Sequence, residues 1–162
     1  MYKSHYQSPI GLIEITASDS GLLSVSFIDE REEINSTGTL ANDITKQTAI
    51  YLGEYFTGNR RNFDLPLAPV GTPFQQLVWK ELVKVPFGVT DNYSSIARKL
   101  NNPLSVRAVG AANGKNPIAI IIPCHRIIGA SGHLTGYAGG LWRKEFLLNL
   151  EGAGKGIQAK LW

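Results

Sequence analysis

An uncharged aliphatic segment, Ile118–Pro123, ends directly before the only cysteine of the sequence. A run of this length without a charged residue is typical of a buried strand or another buried extended segment. Proline has no backbone N–H and a fixed φ, so the regular element is predicted to end at Pro123. Cys124 is therefore predicted to follow a rigid, water-poor support that can hold a nucleophile in place.

Cys124 is followed by a titratable base and a permanent cation, His125 and Arg126. Positive groups beside a thiol lower its pKa and raise its thiolate content. The residues alone leave two interpretations open. A lone cysteine in an apolar run is commonly an inert core residue, whereas one with these neighbours has the surroundings of a reactive thiol.

Length and composition limit the function classes. The 162 residues, 43% of them hydrophobic and 18% charged, are typical of a globular protein with one ordinary domain or two small ones. No run approaches the length of a membrane span, and residues 1–5 include no apolar signal core. One cysteine excludes an internal disulfide and a Cys-based zinc cluster. A cytoplasmic location, which keeps a thiol reduced, is expected.

Charge is divided unevenly along the chain. Residues 1–70 contain five Lys/Arg and nine Asp/Glu, a net charge of −4, whereas residues 71–162 contain eleven and four, a net charge of +7. This segregation indicates a domain boundary near residue 70. It also predicts that the second part faces a polyanion such as a nucleic acid.

The first part is predicted to be a sheet-and-helix scaffold. Segments Gly11–Ala17 and Leu22–Ile28 flank a turn-rich linker and predict a β-hairpin. A helix capped by Asn42 or Asp43 is predicted to run to about Thr57. Two less regular stretches are expected, a solvated acidic loop from residue 29 and an edge strand over residues 62–69.

The second part is predicted to be helical. Thr72 and Gln75 form a capping box for a helix that ends before Pro86. A helix over Tyr93–Leu100, a turn, and a third helix from Leu104 or Ser105 through Ala112 then predict a helix-turn-helix. A plain αα-hairpin is the alternative. Small residues would let the third helix approach another surface closely, and they are Ala108, Gly110, Ala111 and Ala112.

Two glycine-rich loops and a last helix complete the chain. The loops, Gly129–Gly132 and Gly136–Gly140, lack the pattern of a phosphate-binding loop. The helix is predicted over Leu141–Leu150 and is expected to bury Leu141, Phe146, Leu147 and Leu150. The tail from Gly154 is expected to be frayed.

Pro123-Cys124-His125-Arg126, preceded by the aliphatic run and by Asn116-Pro117, resembles the active-site signature of the O6-alkylguanine-DNA alkyltransferases. Flanking segments from about Gly71 to Gly152 also have the spacing of that family. The resemblance implies an α/β protein. Its N-terminal domain, residues 1–70, is expected to be ribonuclease-H-like. A winged-helix-like DNA-binding domain is expected over residues 71–155, followed by a tail, 156–162.

The resemblance also implies an activity, which is DNA repair by direct reversal. A methyl group moves irreversibly from O6-methylguanine, and by extension from O4-methylthymine, to Cys124 in a single turnover. No cofactor and no metal are implied. The expected partner is double-stranded DNA that contains O6-alkylguanine, and the protein is expected to be a monomer.

Catalytic roles can be transferred by position within the same resemblance. Cys124 corresponds to the nucleophile, His125 to its base acting through water, and Glu151 to the residue that orients the histidine. Asn116 corresponds to the residue that holds the active-site turn. Tyr93 corresponds to the tyrosine that helps rotate the nucleotide and protonates guanine N3.

Binding roles follow in the same way. Arg107 corresponds to the arginine that fills the gap left in the base stack, and the small residues Ala108, Gly110 and Ala111 belong to the same DNA-binding helix. The substrate pocket is expected to include Tyr137, Ala138 and Pro123.

The sequence departs from the family pattern at two positions and leaves two other function classes open. Asn92 stands where relatives often have serine, and Ala138 stands where some relatives have a hydroxyl, which affects the expected base contacts. A helix-turn-helix protein that binds DNA damage through a structural thiol is one alternative. A Cys-His hydrolase with repeated turnover is the other.

Overall fold

The computed structural model describes residues 1–29 and 40–154. Its contacts divide the chain into two compact units, with the division between Val70 and Gly71. The predictions for most of the acidic loop and for the tail concern residues 30–39 and 155–162, which lie outside the described residues. Among the helices of the described ranges, none combines the length and apolar character needed to cross a membrane.

The first unit contains an antiparallel sheet of order β1-β2-β3, formed by Tyr2–Ser8, Gly11–Ala17 and Leu22–Ile28. The predicted hairpin is confirmed as β2 and β3, paired from Leu12 with Ile28 to Ala17 with Leu22. Strand β1 was not predicted. Its polar side chains hide the usual alternation, but it pairs along its whole length with β2.

Helix α1, Asp43–Phe56, packs against β1 and β2. Its predicted cap is confirmed, since the Asn42 side chain accepts from the backbone N–H of Thr45, 2.9 Å away. The edge strand predicted over residues 62–69 is wrong. Only Leu67 forms a bridge, to Leu22, because two prolines in this stretch interrupt the supply of backbone donors.

Helices dominate the second unit. Helix α2 is Pro73–Val83, α3 is Tyr93–Lys99 and α4 is Val106–Gly114. The predicted capping box at Thr72 is present, as is the Asn92 cap of α3. Helices α3 and α4 are joined by a short turn and pack on each other, as expected both for a helix-turn-helix and for an αα-hairpin. The indole N–H of Trp79 donates to the carbonyl of Ala112, 2.9 Å away, and fixes α2 to α4.

The last helix, α5, spans Leu141–Leu150 as predicted, but its buried face differs. Leu147 is buried, whereas Phe146, expected in the core, is exposed. Leu148 and a charged residue, Lys144, are buried instead. Residues Asp91–Asn92 and Ile127–Ile128 form a short parallel pair, β4 and β5, which places the segment after Cys124 beside the start of α3.

Candidate active site

The aliphatic segment before Cys124 is buried as predicted, but it is a compact turn and not an extended strand. The backbone N–H of Ile122 donates to the carbonyl of Ile118, 3.0 Å away. Ile120 has a φ of 70°, a left-handed conformation that β-branched residues rarely adopt. The extended expectation failed because local hydrophobicity predicts burial and says nothing about this folded-back path.

The side chain of Asn116 hydrogen-bonds both ends of the Ile118–Ile122 turn. Its Oδ1 accepts from the N–H of Ile118 at 2.9 Å, and its Nδ2 donates to the carbonyl of Ile122 at 2.8 Å. One side chain therefore links both ends of the turn and offsets the strain at Ile120. The same amide acts to lower the pKa of the Cys124 thiol. The position of Asn116 is thus consistent with the holding role implied by the resemblance.

Cys124 opens a 3₁₀ turn, Cys124–Arg126, and is 6% exposed. Burial raises the pKa of its thiol above the ordinary value. The Asn116 amide, the charge of Lys144 and nearby backbone N–H groups act in the opposite direction but do not cancel the effect of burial. The thiol is therefore protonated at neutral pH and needs a base to become a nucleophile.

His125 and Glu151 form a buried pair, although they are 26 residues apart in sequence. Nε2 of His125 donates to Oε2 of Glu151 at 2.7 Å. Burial lowers the pKa of His125, with further lowering by Arg126 and Lys144, against the opposing effect of Glu151. The imidazole is therefore neutral, with its proton on Nε2. Among the described residues its buried Nδ1 has no hydrogen-bond partner, so a lone pair is available to accept a proton.

Arg126 holds Glu151 in place. Its Nε and Nη2 donate to the two carboxylate oxygens at 2.8 and 3.1 Å, and its Nη1 donates to the carbonyl of Val85 at 2.7 Å. Burial disfavours the charged carboxylate, but the hydrogen bonds from His125 and Arg126 and the charge of Arg126 outweigh it and hold the pKa of Glu151 well below its usual range. Glu151 is therefore ionised throughout the neutral range.

The turn around Gly88 completes the carboxylate site. The N–H of Gly88 donates to Oε1 of Glu151 at 3.3 Å. Gly88 has a φ of 79°, and a Cβ at this position would lie 3.0 Å from the backbone oxygen of Glu151. Only glycine can adopt this positive φ and also avoid the close contact with the Glu151 oxygen without strain.

Lys144 is the buried cation that acts on the thiol, and the sequence analysis missed it. Arg126 was predicted to provide this charge, but its guanidinium is bound to Glu151, and the positive side chain that opposes the rise in the Cys124 pKa is Lys144. Nζ of Lys144 donates to the carbonyls of Ile127 and Thr135, at 2.6 and 3.1 Å. Burial lowers the pKa of Lys144 to about 8, against a smaller opposing effect of Cys124.

A signal for Lys144 was present in the sequence. Leu141, Lys144 and Leu148 have helical spacing and share one face of α5. A lysine within an apolar stripe is rarely buried without partners, so its position indicated a specific role. The two carbonyls that accept from it could not be found from local sequence.

Tyr93 begins α3 and extends from β4 towards the loop that follows β5. Its ring lies against Gly110 of α4, where an added Cβ would be 3.8 Å from the ring. Its hydroxyl hydrogen-bonds the Thr135 hydroxyl at 2.5 Å. Burial raises the pKa of Tyr93, the Thr135 hydrogen bond opposes this, and the charge of Cys124 adds to it.

The predicted pocket residues have different environments. Pro123 is buried beside Cys124, whereas Ala138 is exposed. The hydroxyl of Tyr137 is buried and has no hydrogen-bond partner among the described residues. Burial and the charge of Cys124 raise its pKa well above the usual value, against an opposing effect of Arg143. Tyr137 therefore offers a buried, neutral phenol.

Helix α4 presents an exposed face of small and basic residues, formed by Arg107, Ala108, Ala111 and Lys115. These positions are spaced for one side of a helix. Gly110, predicted with them, is half-buried against Tyr93 instead. The structure therefore separates a basic helical face from the buried group around Cys124, with Tyr93 next to both.

Comparison with known proteins gives consistent matches along the chain. Residues 1–69 match a family model for the ribonuclease-like domain of 6-O-methylguanine DNA methyltransferase, and residues 73–153 match the model for its DNA-binding domain. A methylated-DNA–protein-cysteine methyltransferase of Methanosarcina acetivorans is 46% identical over 94% of this chain and 99% of its own length.

Solved structures agree. The O6-methylguanine methyltransferase of Mycobacterium tuberculosis is 41% identical, with a TM-score of 0.83 over 99% of this chain and 98% of its own. The protein of that organism in complex with DNA is also 41% identical, with a TM-score of 0.84 over 95% and 94% of the two chains.

Proposed function

Because the chain belongs to the 6-O-methylguanine DNA methyltransferase family, we propose that it repairs alkylated DNA by moving the alkyl group onto its own Cys124. The observation that carries the proposal is that the buried Cys124 is followed by His125, whose imidazole is hydrogen-bonded to a Glu151 carboxylate that Arg126 holds in place. The substrate is O6-methylguanine in double-stranded DNA, with O4-methylthymine as a second lesion. No dissociable cofactor takes part.

His125 acts as the base toward the thiol. Its Nε2 is committed to Glu151, so Nδ1 accepts the Cys124 proton, through a water molecule. The imidazolium that forms is stabilised by the ionised Glu151 beside it. Sγ then attacks the alkyl carbon, a new S–C bond forms, and the C–O6 bond breaks with its electron pair left on the base. The thioether product has no route back to a thiol, so each molecule acts once.

The leaving base needs a proton, and Tyr93 is the acid that we propose for it. Guanine is a better leaving group when its developing negative charge is neutralised by an acid. We infer that the phenol of Tyr93 protonates guanine N3, while Tyr137 and Pro123 line the alkyl pocket and Ala138 lies at its exposed side. Asn116 holds the turn that presents Cys124.

The exposed face of α4 is the proposed DNA contact. A base in a duplex must leave the stack before a buried thiol can reach it. Arg107 is proposed to enter the gap, while Ala108 and Ala111 allow close approach and Gly110 supports Tyr93. Residues 71–155 would then carry both functions, and residues 1–70 carry none of the proposed site residues. We also propose that the protein is a cytoplasmic monomer, since the free thiol needs a reducing environment.

Stoichiometry tests the proposal directly. When the protein is mixed with an excess of duplex oligonucleotide that contains O6-methylguanine, one equivalent of lesion should be repaired per protein and the reaction should then stop. Mass spectrometry should show a gain of about 14 Da, one methyl group in place of a hydrogen, on the peptide that contains Cys124.

Two controls separate the alternatives. Cys124→Ser should gain no mass while still binding the duplex. Repeated turnover without a mass change would contradict the proposal and favour a Cys-His hydrolase. Binding without any transfer by the unaltered protein would favour a DNA-damage-binding protein.

Arg107→Ala is expected to slow repair in duplex DNA by about tenfold, because extruding a base costs a few kcal/mol and a stacked side chain recovers part of it. Reaction with free O6-methylguanine base should be unchanged, since no base stack has to open. Single-turnover rates on the two substrates measure the difference. Lys46→Ala, an exposed position on α1, is the matched control. Equal losses on both substrates would place Arg107 in the pocket chemistry.

A further inference from the structure

Thr135 makes a side-chain contact to the proposed acid that the function described above does not use. Its Oγ1 lies 2.5 Å from the hydroxyl oxygen of Tyr93, although the two residues are 42 positions apart. Thr135 precedes the second glycine-rich loop, and nothing in its local sequence indicates a role. The contact joins that loop to the first residue of α3.

We propose that Thr135 is a positioning residue for Tyr93, donating its hydroxyl proton to the phenol oxygen so that the phenol O–H is directed at the departing base. This inference rests on the proposed function, because it gives Tyr93 the part of the acid. It adds Thr135 to the residues that support the reaction, and it explains how the Tyr93 phenol can act as an acid.

The direction of the hydrogen bond decides what Tyr93 can do. Either hydroxyl can be the donor. If Tyr93 donated to Thr135, its proton would already be engaged and would point away from the base. With Thr135 as donor, the phenol proton is free for transfer and the oxygen that loses it already accepts a hydrogen bond.

The same hydrogen bond offsets an unfavourable environment. Burial raises the pKa of Tyr93 and so disfavours the phenolate that proton transfer leaves. The hydrogen bond from Thr135 acts in the opposite direction. A hydrogen bond to a charged oxygen is about twice as strong as one to a neutral oxygen, so this contact strengthens as the proton leaves.

Thr135 is held in place despite the glycines around it. Nζ of Lys144 donates to its backbone carbonyl at 3.1 Å and to the carbonyl of Ile127 at 2.6 Å. Ile127 follows the Cys124–Arg126 turn directly. One buried ammonium therefore ties the loop that carries Thr135 to the segment that carries the thiol, while Gly110 supports the opposite side of the Tyr93 ring.

The proton and electron balance of the step is complete without another reactant. The thiol proton moves to His125, and the S–C bond forms as the C–O6 bond breaks. The electron pair of that bond stays on the base, whose ring nitrogen takes the phenol proton from Tyr93. The phenolate accepts from Thr135, and the imidazolium and phenolate later exchange protons with solvent.

The test compares single-turnover methyl transfer from an O6-methylguanine duplex in a double-mutant cycle. Thr135→Val removes the hydroxyl at constant shape and should slow transfer about tenfold, in line with a hydrogen bond to a charged group. Thr135→Ser should stay within about twofold of the unaltered protein, since the hydroxyl remains. With Tyr93→Phe already present, Thr135→Val should add almost nothing, because no phenol is left to position.

Two further measurements exclude a merely structural effect. Alkylation of Cys124 by iodoacetamide releases no nucleobase that needs a proton. Thr135→Val should therefore leave the rate of this alkylation unchanged. The alkaline limb of the pH profile of methyl transfer should move upward in Thr135→Val, because the phenol pKa rises when its donor is lost. Thr57→Val, at the exposed end of α1, is the matched control. Thr135→Ala replaces Thr135→Val if valine prevents folding.

The possible failures can be told apart. If Thr135→Val and Thr135→Ala transfer methyl at the rate of the unaltered protein, the inference is wrong. It is also wrong if Thr135→Val reduces the rate by the same factor in the Tyr93→Phe background as in the unaltered protein, because Thr135 would then not act through Tyr93. If Tyr93→Phe itself is as fast as the unaltered protein, the acid is not Tyr93, although transfer to Cys124 still stands. If the unaltered protein gains no methyl group, the proposed function fails, and the inference fails with it.

Discussion

Replacing Glu151 by glutamine is expected to slow methyl transfer by about one to three orders of magnitude at pH 7, which is less than the roughly two to four orders that general-base catalysis contributes because His125 itself remains. Glutamine keeps the shape of the side chain, and its oxygen can still accept from Nε2 of His125. It cannot stabilise the imidazolium that forms when His125 takes the thiol proton. Its amide nitrogen also meets Arg126, where the carboxylate accepts two hydrogen bonds.

The difference in transfer rate between Glu151→Gln and the unaltered protein should become smaller as the pH rises. The unperturbed thiol pKa is about 8.5, and burial raises the pKa of Cys124 above its ordinary value. Thiolate therefore forms without help from a base only at still higher pH, and there the rates of Glu151→Gln and the unaltered protein should approach each other. Single-turnover rates across the pH range measure this convergence.

Two controls accompany this measurement. Glu81→Gln changes a carboxylate of the same unit whose partner, Lys84, is a surface residue, and its rate should not change. DNA affinity of Glu151→Gln should also stay close to that of the unaltered protein, since the carboxylate is buried. An unchanged transfer rate at pH 7 would remove Glu151 from the site and leave it a structural role.

Helix positions could be predicted because their signals are local. Thr72 with Gln75, and Asn92 before α3, are caps whose partners lie within three residues. Such signals do not depend on how the rest of the chain folds. The residues around Cys124 that match the family signature are equally local, which is why a candidate nucleophile and its neighbours could be proposed from sequence.

The predictions failed where long-range contacts decide the outcome. The segment Ile118–Ile122 was correctly expected to be buried, but its path depends on the Asn116 side chain that links its ends. Strand β1 has polar side chains and is defined by pairing with β2. Periodicity cannot reveal either feature, because both depend on hydrogen bonds and not on apolar spacing.

The charged residues of the site show again that contacts between residues distant in sequence cannot be predicted from local patterns. Arg126 and Lys144 are both visible as cations in the sequence, but the sequence suggested Arg126 as the charge beside the thiol and indicated no partner for Lys144. Arg126 binds a carboxylate 25 residues away, whereas Lys144, one turn into a helix, reaches two carbonyls beside the thiol. Which cation acts on Cys124 is set by the packing of α5 against the Cys124–Arg126 turn, which no local pattern encodes.

Arg126→Met is expected to reduce the free energy of unfolding by about 3–5 kcal/mol at pH 7, the typical cost of removing one partner from a buried ion pair. Methionine fills much of the same space, so the loss is mainly electrostatic. Glu151 would keep the hydrogen bonds from His125 and Gly88 but lose its two bonds to the guanidinium. The carbonyl of Val85 would lose its donor as well. Urea unfolding measures the change.

The pH dependence identifies the cause. The folded pKa of Glu151 is depressed, so its stabilising contribution is complete above the unfolded pKa of about 4.3 and is lost as the pH falls from there towards the folded value. Arg126→Met raises the folded pKa and reduces that contribution. The unaltered protein should therefore lose stability more steeply in acid, and the two proteins should converge there.

Lys84→Met provides the matched comparison, because it breaks the surface pair with Glu81, in which Lys84 is 69% exposed. An exposed pair contributes about 0–1 kcal/mol, so this variant should unfold almost like the unaltered protein. If Arg126→Met were equally mild, the guanidinium would not be holding a buried charge. The low folded pKa of Glu151 would then have to come from its remaining hydrogen-bond donors, His125 and Gly88.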